Sequence, residues 1–283
     1  MKDKSIKVAE RKALFIRSLV YLSAGITVFI LFAIIVYILM KGIPHIKPEM
    51  FQLKYNSINL SLMPAMINTV VMTGLTLLFA IPAGVFTAIY LVEYAKKENF
   101  FVRMINVTTE TLAGIPSIVY GLFGYLFFVT KLKFSYSLIS GALTLAIMIL
   151  PLIIRTSQEA LMSVPDMYRE GSFGLGAGKL RTVFRIVLPS AMPGILSGII
   201  LGIGRIVGET AALIYTAGTV AQYYDSFLTS GRTLAIHLYS LWVEGLQTDS
   251  SYATAVILLV AVMIINALAT FVASRIKKGN KEE

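Results

Sequence analysis

Residues 163–189 of this chain read SVPDMYREGSFGLGAGKLRTVFRIVLP and lie between two long apolar stretches. Ser163 and Pro165 are typical of a helix start, because they offer a capping oxygen and a proline for the first turn. Four glycines are then expected to interrupt the helix, Gly171, Gly174, Gly176 and Gly178, and Gly176 is the position best suited to a left-handed turn. From Lys179 onward the pattern is helical again and continues into the next apolar stretch. The sequence therefore predicts two short helices joined by a glycine turn beside a membrane.

The composition places the rest of the chain in a lipid bilayer. Of its 283 residues, 57% are hydrophobic and only 14% are charged, which leaves too little polar surface for a soluble globule. Six uncharged stretches reach the roughly 18 to 20 residues that a membrane-spanning helix needs: residues 19–40, 65–92, 111–130, 134–154, 186–204 and 252–274. These stretches lack the alternation of a barrel strand, so helices are expected. The predicted fold class is all-α, a polytopic membrane protein with six transmembrane helices.

The basic residues are distributed unevenly between the two ends of the predicted spans. If the chain crosses the membrane at each of the six spans, four segments lie on the same side: residues 1–18, 93–110, 155–185 and 275–283. These segments contain 18 of the 25 Lys and Arg residues. We call this the basic side and the other the opposite side; a Lys and Arg excess of this kind marks a cytoplasmic side. The expected layout is a cytoplasmic basic tail (1–18), a transmembrane domain (19–275) with a cytoplasmic loop at about 163–189, and a second cytoplasmic tail (276–283). We expect both termini inside the cell and a multi-pass location in the plasma or inner membrane.

The net charge of +10 needs no nucleic acid to explain it. The asymmetry between the two sides accounts for it, together with attraction to anionic lipid headgroups. The chain has no cysteine, which excludes disulfides and thiol redox chemistry.

Residues 233–246 place apolar side chains at helical spacing around the single tryptophan, which predicts a helix lying at the outer interface. His45 and His237 have no metal-ligand companions at useful spacing and are expected to be interfacial.

Charge inside the membrane is concentrated at the end of the fifth apolar stretch. Arg205 and Glu209 are four residues apart, so on a continuous helix both side chains share one face. Intramembrane charges usually pair and line a pathway, because burying either one alone in hydrocarbon is costly. Two interpretations remain open: a self-neutralising ion pair, or an anion site in which the Arg205 donor fork binds an oxyanion and Glu209 adjusts it. A third arrangement pairs Glu209 with an arginine of a partner subunit and leaves Arg205 free.

Two further polar residues are candidates for the same pathway, Thr210 beside Glu209 and Ser117 after Pro116. Pro116 is expected to kink its span. The alternative is a local break in the helix, whose free amide groups would favour an anion. The four-residue glycine stripe at 194, 198 and 202 is expected to serve close helix packing.

The register of residues 170–189 resembles the EAA loop of ABC importer permeases, E-A-A-x3-G-x9-I-x-L-P, by which a membrane subunit contacts its ATPase. Five residues match this pattern and two small residues replace its alanines: Glu170, Gly176, Ile186, Leu188 and Pro189, with Gly171 and Ser172 at the alanine positions. Three other stretches, 68–94, 112–121 and 205–211, resemble the PstA and PstC family of phosphate permeases. This resemblance covers roughly residues 60–275, and residues 234–246 with the short amino terminus favour the PstA branch.

The resemblance implies a type I ABC importer permease fold and a subunit of an ATP-driven inorganic phosphate importer. It also implies partners: a second, PstC-like permease, a dimer of PstB-like ATP-binding subunits, and an external PstS-like phosphate-binding protein. The chain itself is expected to be no enzyme and to need no cofactor or metal, since its glycine run lacks the spacing of a phosphate-binding loop. In the family, the intramembrane arginine and glutamate are associated with phosphate passage, and Arg205 and Glu209 match them. The alternatives are a molybdate or sulfate importer and an ATP-independent secondary transporter.

Overall fold

The computed structural model describes residues 2–279 except 57, 97–98, 244 and 246–247, and side chains within residues 13–275. The described residues form helices and connecting loops with no β-strand. Eleven α-helices are found in the described part of the chain: α1 (Lys2–Gly42), α2 (Met63–Ile89), α3 (Phe100–Ala113), α4 (Ser117–Gly124), α5 (Leu138–Met162), α6 (Asp166–Gly174), α7 (Lys179–Thr182), α8 (Leu188–Val207), α9 (Ala211–Ile214), α10 (Leu234–Val243) and α11 (Thr248–Gly279). Three π-helical turns extend them, Tyr90–Tyr94 after α2, Tyr125–Lys131 after α4 and Val183–Val187 between α7 and α8.

Five helices among the described residues are long and apolar enough to cross a membrane, and the third predicted span is the exception. A helix over 111–130 is wrong, because the chain breaks after Ala113 and resumes at Ser117. The two segments Phe100–Ala113 and Ser117–Lys131 meet at 106° and together make a sixth, bent passage. Pro116 explains the break, since its ring removes a donor and disfavours helical geometry in the residue before it. The prediction of a simple proline kink is therefore also wrong, and the structure has the alternative, a local break in the helix.

The core lies where α2, α5 and α8 pack together. Leu145, Ile149 and Ile153 of α5 are fully buried, and the large apolar cluster around them includes residues of α2 and α8. A side chain at Gly194 would lie 2.6 Å from the Cβ of Ala160 on α5. The glycine stripe of α8 therefore faces α5 and permits close contact between the two helices, which confirms its predicted packing role.

The first and last spans lie at the edge of this core. α1 packs against α11, while large apolar side chains along α1, such as Phe29 and Phe32, remain exposed on the chain. Such a surface suits lipid or another membrane subunit. α1 begins at Lys2, so the predicted amino-terminal tail continues the first span as helix. The predicted tail at 276–283 lies largely outside the described residues, and the side of the membrane on which the tails lie stays a prediction.

The predicted interfacial helix is shorter than expected and is packed differently. It covers Leu234–Val243, and Leu246 lies outside the described residues. Trp242 and Tyr239 are exposed, as expected at an interface. His237 is fully buried, so its expected interfacial position is wrong. Helical periodicity puts His237 on the same face as Leu234 and Leu241, which are also buried.

Candidate functional site

Residues 163–189 have the predicted architecture of two short helices around a glycine turn. α6 begins after Pro165 and ends at Gly174, so the expectation that Gly171 interrupts the helix is wrong. Gly176 has φ +83°, a left-handed conformation that L side chains rarely adopt. α7 then leads through the π-helical turn Val183–Val187 into α8 without a gap. The glycine turn is therefore joined to the fifth span by unbroken helix.

The surface of this segment is apolar and open. Glu170 and Gly171 are exposed, and a side chain added at Gly171 would meet nothing within 4 Å. Around them lie large apolar side chains that the chain leaves exposed: Met167, Tyr168, Phe173, Leu175 and Leu180. Because these residues lie between spans and not along one, their exposure is typical of a contact surface for another protein.

The remaining residues of the EAA-like pattern face inward to different degrees. Ser172 is buried, and its hydroxyl lies 2.8 Å from that of Thr182 on α7. Ile186, Leu188 and Pro189 are half-buried at the start of α8. Ser172 thus holds the two short helices together, while Glu170 and Gly171 are available on the surface.

A buried ion pair that the sequence gave no reason to expect fixes this segment to the membrane helices. The Arg169 guanidinium donates to Glu93 at 2.7 Å, and the two side chains are only 14% and 7% exposed. Arg169 also donates to the carbonyls of Leu161 and Val164, at 3.0 and 2.8 Å. The pair joins residues 76 positions apart in the chain. It therefore connects α6 to the ends of both α2 and α5, and no local pattern could have revealed it.

The expectation that Arg205 and Glu209 share one face of a continuous helix is wrong, and of the alternatives left open the ion pair between them is not found among the described residues. α8 ends at Val207, with Gly208 at its carboxyl end, so Glu209 lies beyond the helix. Glu209 instead accepts a hydrogen bond from the Ala212 amide at 3.1 Å and caps the short helix α9. Arg205 is in the last turn of α8, where the helix dipole favours a cation. Its side chain is exposed and has no hydrogen bond or ion pair within the described part of the chain.

Ser117 lies at the start of α4, and α4 packs against α9, the helix that Glu209 caps. A side chain at Gly121 would lie 2.8 Å from the Cα of Ala212, so the two backbones are in direct contact. The Tyr120 hydroxyl donates to the Leu112 carbonyl at 2.8 Å and stabilises the bend before α4. The structure thus brings the element that carries Ser117 next to the one that follows Glu209, although no direct contact joins the two side chains.

Two cavities lie near these sites. One, of about 780 Å³, is on the basic side next to Arg169. Its charged lining contains more carboxylates than guanidinium groups, which disfavours an anion there: Glu93, Glu110, Glu159 and Asp166 against Arg155 and Arg169. The other, of about 410 Å³, lies between α1, α10 and α11 on the opposite side and is mostly apolar, with Thr210 at its wall. The described residues include no cluster of three or more His, Asp or Glu that could hold a metal.

Comparison with known families identifies the type of protein. Residues 80–278 match the family described as binding-protein-dependent transport system inner membrane component. The chain belongs to this permease family. Its transport role and its place in a membrane follow from that membership, and the predicted all-α permease fold is confirmed.

Curated relatives specify the branch of the family. The permease is 36% identical to phosphate transport system permease protein PstA 1 of Mycobacterium tuberculosis over 75% of this chain and 70% of that protein. It is 32% identical to PstA of Pasteurella multocida, over 89% and 91% of the two chains. A probable ABC transporter permease of Bacillus subtilis, YqgI, is 30% identical over 91% and 93%. The predicted resemblance to phosphate ABC transporter permeases of the PstA type is therefore confirmed.

Solved structures with the same fold include ABC transporter chains of low sequence identity. A chain of a bacterial alginate ABC transporter, solved in complex with an alginate-bound periplasmic protein, aligns with a TM-score of 0.70 at 16% identity, over 95% of this permease and 96% of that chain. A chain of the inward-facing MetNI methionine transporter aligns with a TM-score of 0.56 at 20% identity, over 77% and 93%. At such identities the likeness shows the fold alone.

Proposed function

We propose that this permease is the PstA-like subunit of an ATP-driven inorganic phosphate importer. It forms the translocation pathway with a second, PstC-like permease, is driven by a dimer of PstB-like ATPases, and receives phosphate from an external PstS-like binding protein. The observation that carries the proposal is the exposed, glycine-hinged segment on the basic side, continuous with a helix that ends in an unpaired arginine. The PstA relatives supply the choice of phosphate as substrate.

In this proposal the basic side is cytoplasmic and the ATPases contact the surface around Glu170 and Gly171. ATP binding draws the ATPases together and displaces α6 and α7. The Glu93–Arg169 pair passes the displacement to α2 and α5, and the continuous helix from Lys179 to Val207 passes it to Arg205. The pathway then alternates between inward-facing and outward-facing arrangements.

Arg205, with Thr210 and Ser117 nearby on adjoining elements, supplies the anion-binding groups of the pathway. A guanidinium meets two oxygens of an oxyanion at once, and an unpaired arginine in a membrane is costly unless its partner is a ligand or another subunit. Glu209 uses one oxygen to cap α9, and its second oxygen has no bond within the described residues. That oxygen can accept the O–H of hydrogen phosphate, whereas sulfate has no proton to donate.

Uptake into liposomes tests this function directly. The permease is reconstituted with its co-purifying subunits and an external phosphate-binding protein. We expect the liposomes to accumulate radiolabelled phosphate only when hydrolysable ATP is present on the side of the membrane where the ATPase subunits lie. A tenfold excess of molybdate or sulfate should leave phosphate uptake unchanged. Uptake that continues without ATP would mark a secondary transporter, and displacement by either competitor would assign the other oxyanion as substrate.

A further inference from the structure

A second group of anion-binding side chains lies on the opposite side, outside the membrane spans. Arg232, just before α10, is 5% exposed, and His237 within α10 is 0% exposed. Both contact the ring of Tyr55, a half-buried residue of the loop before α2. The Arg232 Cζ lies 4.8 Å from the ring centroid. The His237 ring meets the Tyr55 ring edge-on, with centroids 6.2 Å apart. Tyr55 therefore covers both groups from the outer side.

The backbone around this cluster is held firmly in place. The Arg232 amide donates to the Val220 carbonyl at 3.1 Å, and the His237 amide donates to the Thr233 carbonyl at 2.8 Å. The Asn68 amide group of α2 donates to the Arg232 carbonyl at 3.3 Å. The backbone of the two residues is thus held by contacts with three parts of the fold: the loop at Val220, the start of α10 and α2.

The polar atoms of the cluster lack partners among the described residues. They are Nε and Nη2 of Arg232, both ring nitrogens of His237 and Oδ1 of Asn68, whose amide nitrogen donates to the Arg232 carbonyl. Nε and Nη2 lie on one edge of the guanidinium and form the fork that binds two oxygens at once. Burying a cation without a counter-charge is costly, and the face of the Tyr55 ring compensates the guanidinium only in part, so a ligand that supplies negative charge would stabilise the cluster.

The unpartnered atoms also define the chemistry of that ligand. Burial, followed by the charge of Arg232, lowers the pKa of His237 to about 3, so the imidazole is neutral at physiological pH. A neutral imidazole donates one hydrogen bond and accepts one. One small ligand meets only one of the two ring nitrogens, and the tautomer decides whether that nitrogen donates or accepts. Asn68 Oδ1 can only accept, so a ligand that has an O–H as well as free oxygens suits the cluster best. A carboxylate from a partner protein, or sulfate, accepts only.

We propose that Arg232 and His237 form a binding site for a protonated oxyanion of the hydrogen phosphate class, covered by Tyr55. Arg232 binds two oxygens of the anion, His237 presents one ring nitrogen to it, and Asn68 Oδ1 accepts its O–H. The choice of phosphate rests on the proposed function and deepens it, since the site lies on the side from which the substrate would enter. It is separate from Arg205, which lies at the end of α8.

Thermal unfolding of the purified full-length permease in detergent tests the site. At pH 7 and matched ionic strength, phosphate is expected to raise the unfolding midpoint in step with the logarithm of its concentration, because it binds only the folded state. Sulfate and chloride should raise it far less. Arg232→Gln should abolish the response to phosphate. Lys54→Gln, which removes one positive charge from the same outer loop without touching the cluster, should retain it.

A second variant covers the case in which Arg232→Gln does not fold. His237→Phe keeps the aromatic contact with Tyr55 but removes both nitrogens, so we expect at least a tenfold weaker response to phosphate and an undiminished midpoint without anion. The site is overturned if phosphate does not change the unfolding midpoint of the wild-type protein, which would leave internal water as the partner of the cluster. It is equally overturned if sulfate raises the midpoint as much as phosphate does. It is also overturned if stabilisation appears only with an external binding protein, which would point to a protein carboxylate. Phosphate binding here without ATP-driven uptake would contradict the proposed function alone, and normal uptake with an unresponsive midpoint would contradict this site alone.

Discussion

The side chain of Arg205 has to find its partner outside the chain that carries it. It lies in the last turn of α8 on the same outward face as Leu201, which is 63% exposed, while Gly202 and Ile206 face the core. Glu209, the counter-charge that the sequence offered, lies beyond the end of the helix and caps α9. A partner subunit, a water-filled pathway or a bound anion must therefore compensate the charge.

Substitution of Arg205 tests its role in anion passage. A hydrogen bond to a charged group contributes about 1.5 to 3 kcal/mol, so we expect Arg205→Ala to lower phosphate uptake roughly 10- to 100-fold. Arg205→Lys should recover part of that uptake, because lysine keeps the charge but loses the two-donor fork. The measurement is phosphate uptake in cells, normalised to the amount of assembled complex. Arg103→Ala, which removes an exposed arginine from α3, serves as the control, and normal uptake by Arg205→Ala would contradict the role.

At the scale of elements, the important connection is between the short helix α6 and the ends of α2 and α5. Arg169 makes this connection through Glu93 and through the carbonyls of Leu161 and Val164. The Lys179 ammonium adds a second contact, 5.0 Å above the ring of Tyr94. The glycine-hinged segment is therefore connected to three spans, α2, α5 and α8, and in the proposed function its movement would reach all three.

Breaking the buried pair should affect both stability and coupling. Arg169→Gln leaves the Glu93 carboxylate buried without a counter-charge, which costs about 3 to 5 kcal/mol of folding free energy. The same variant should uncouple ATP hydrolysis from phosphate uptake, since α6 loses its connection to α2. The checks are chemical unfolding of the purified permease and the ratio of phosphate transported to ATP hydrolysed.

A matched control exists on the same side of the membrane. Arg155 pairs with Glu159 at 3.3 Å, but both side chains are 63% exposed, and exposed pairs of this kind contribute little. Arg155→Gln should therefore leave stability and the transport ratio close to wild type. Equal effects of Arg155→Gln and Arg169→Gln would show that burial of the Glu93 pair has no special role.

At the scale of the whole molecule, the sequence was sufficient wherever the signal is local. Apolar length predicted five of the six passages, and the spacing of Pro165, Gly176 and Lys179 predicted the two short helices with their left-handed turn. The sequence was less decisive at three other places. It left a kink and a break at Pro116 as alternatives, and it did not show that α8 ends before Glu209. The burial of His237 depends in part on Tyr55, which is distant in sequence.

The most consequential contact was also the least predictable. Glu93 and Arg169 are 76 residues apart, and each on its own reads as an ordinary charge at the end of a span. Likewise, the sequence presents Arg232 only as one of the basic residues counted on the opposite side, whereas the structure buries it with His237 against Tyr55. A single sequence contains periodicity and capping signals, but it contains no direct signal for which distant charges meet.

The central claim is that residues 163–189 are the surface through which a separate ATPase moves this permease. The chain has no cysteine, so Gly171→Cys introduces the only thiol, at an exposed position where a side chain meets nothing within 4 Å. A thiol-attached photo-crosslinker at this position, activated in native membranes, is predicted to capture the ATP-binding subunit, whereas the same reagent at Lys54→Cys on the opposite side should not. Failure of Gly171→Cys to capture an ATPase, or equal capture from Lys54→Cys, would contradict the account.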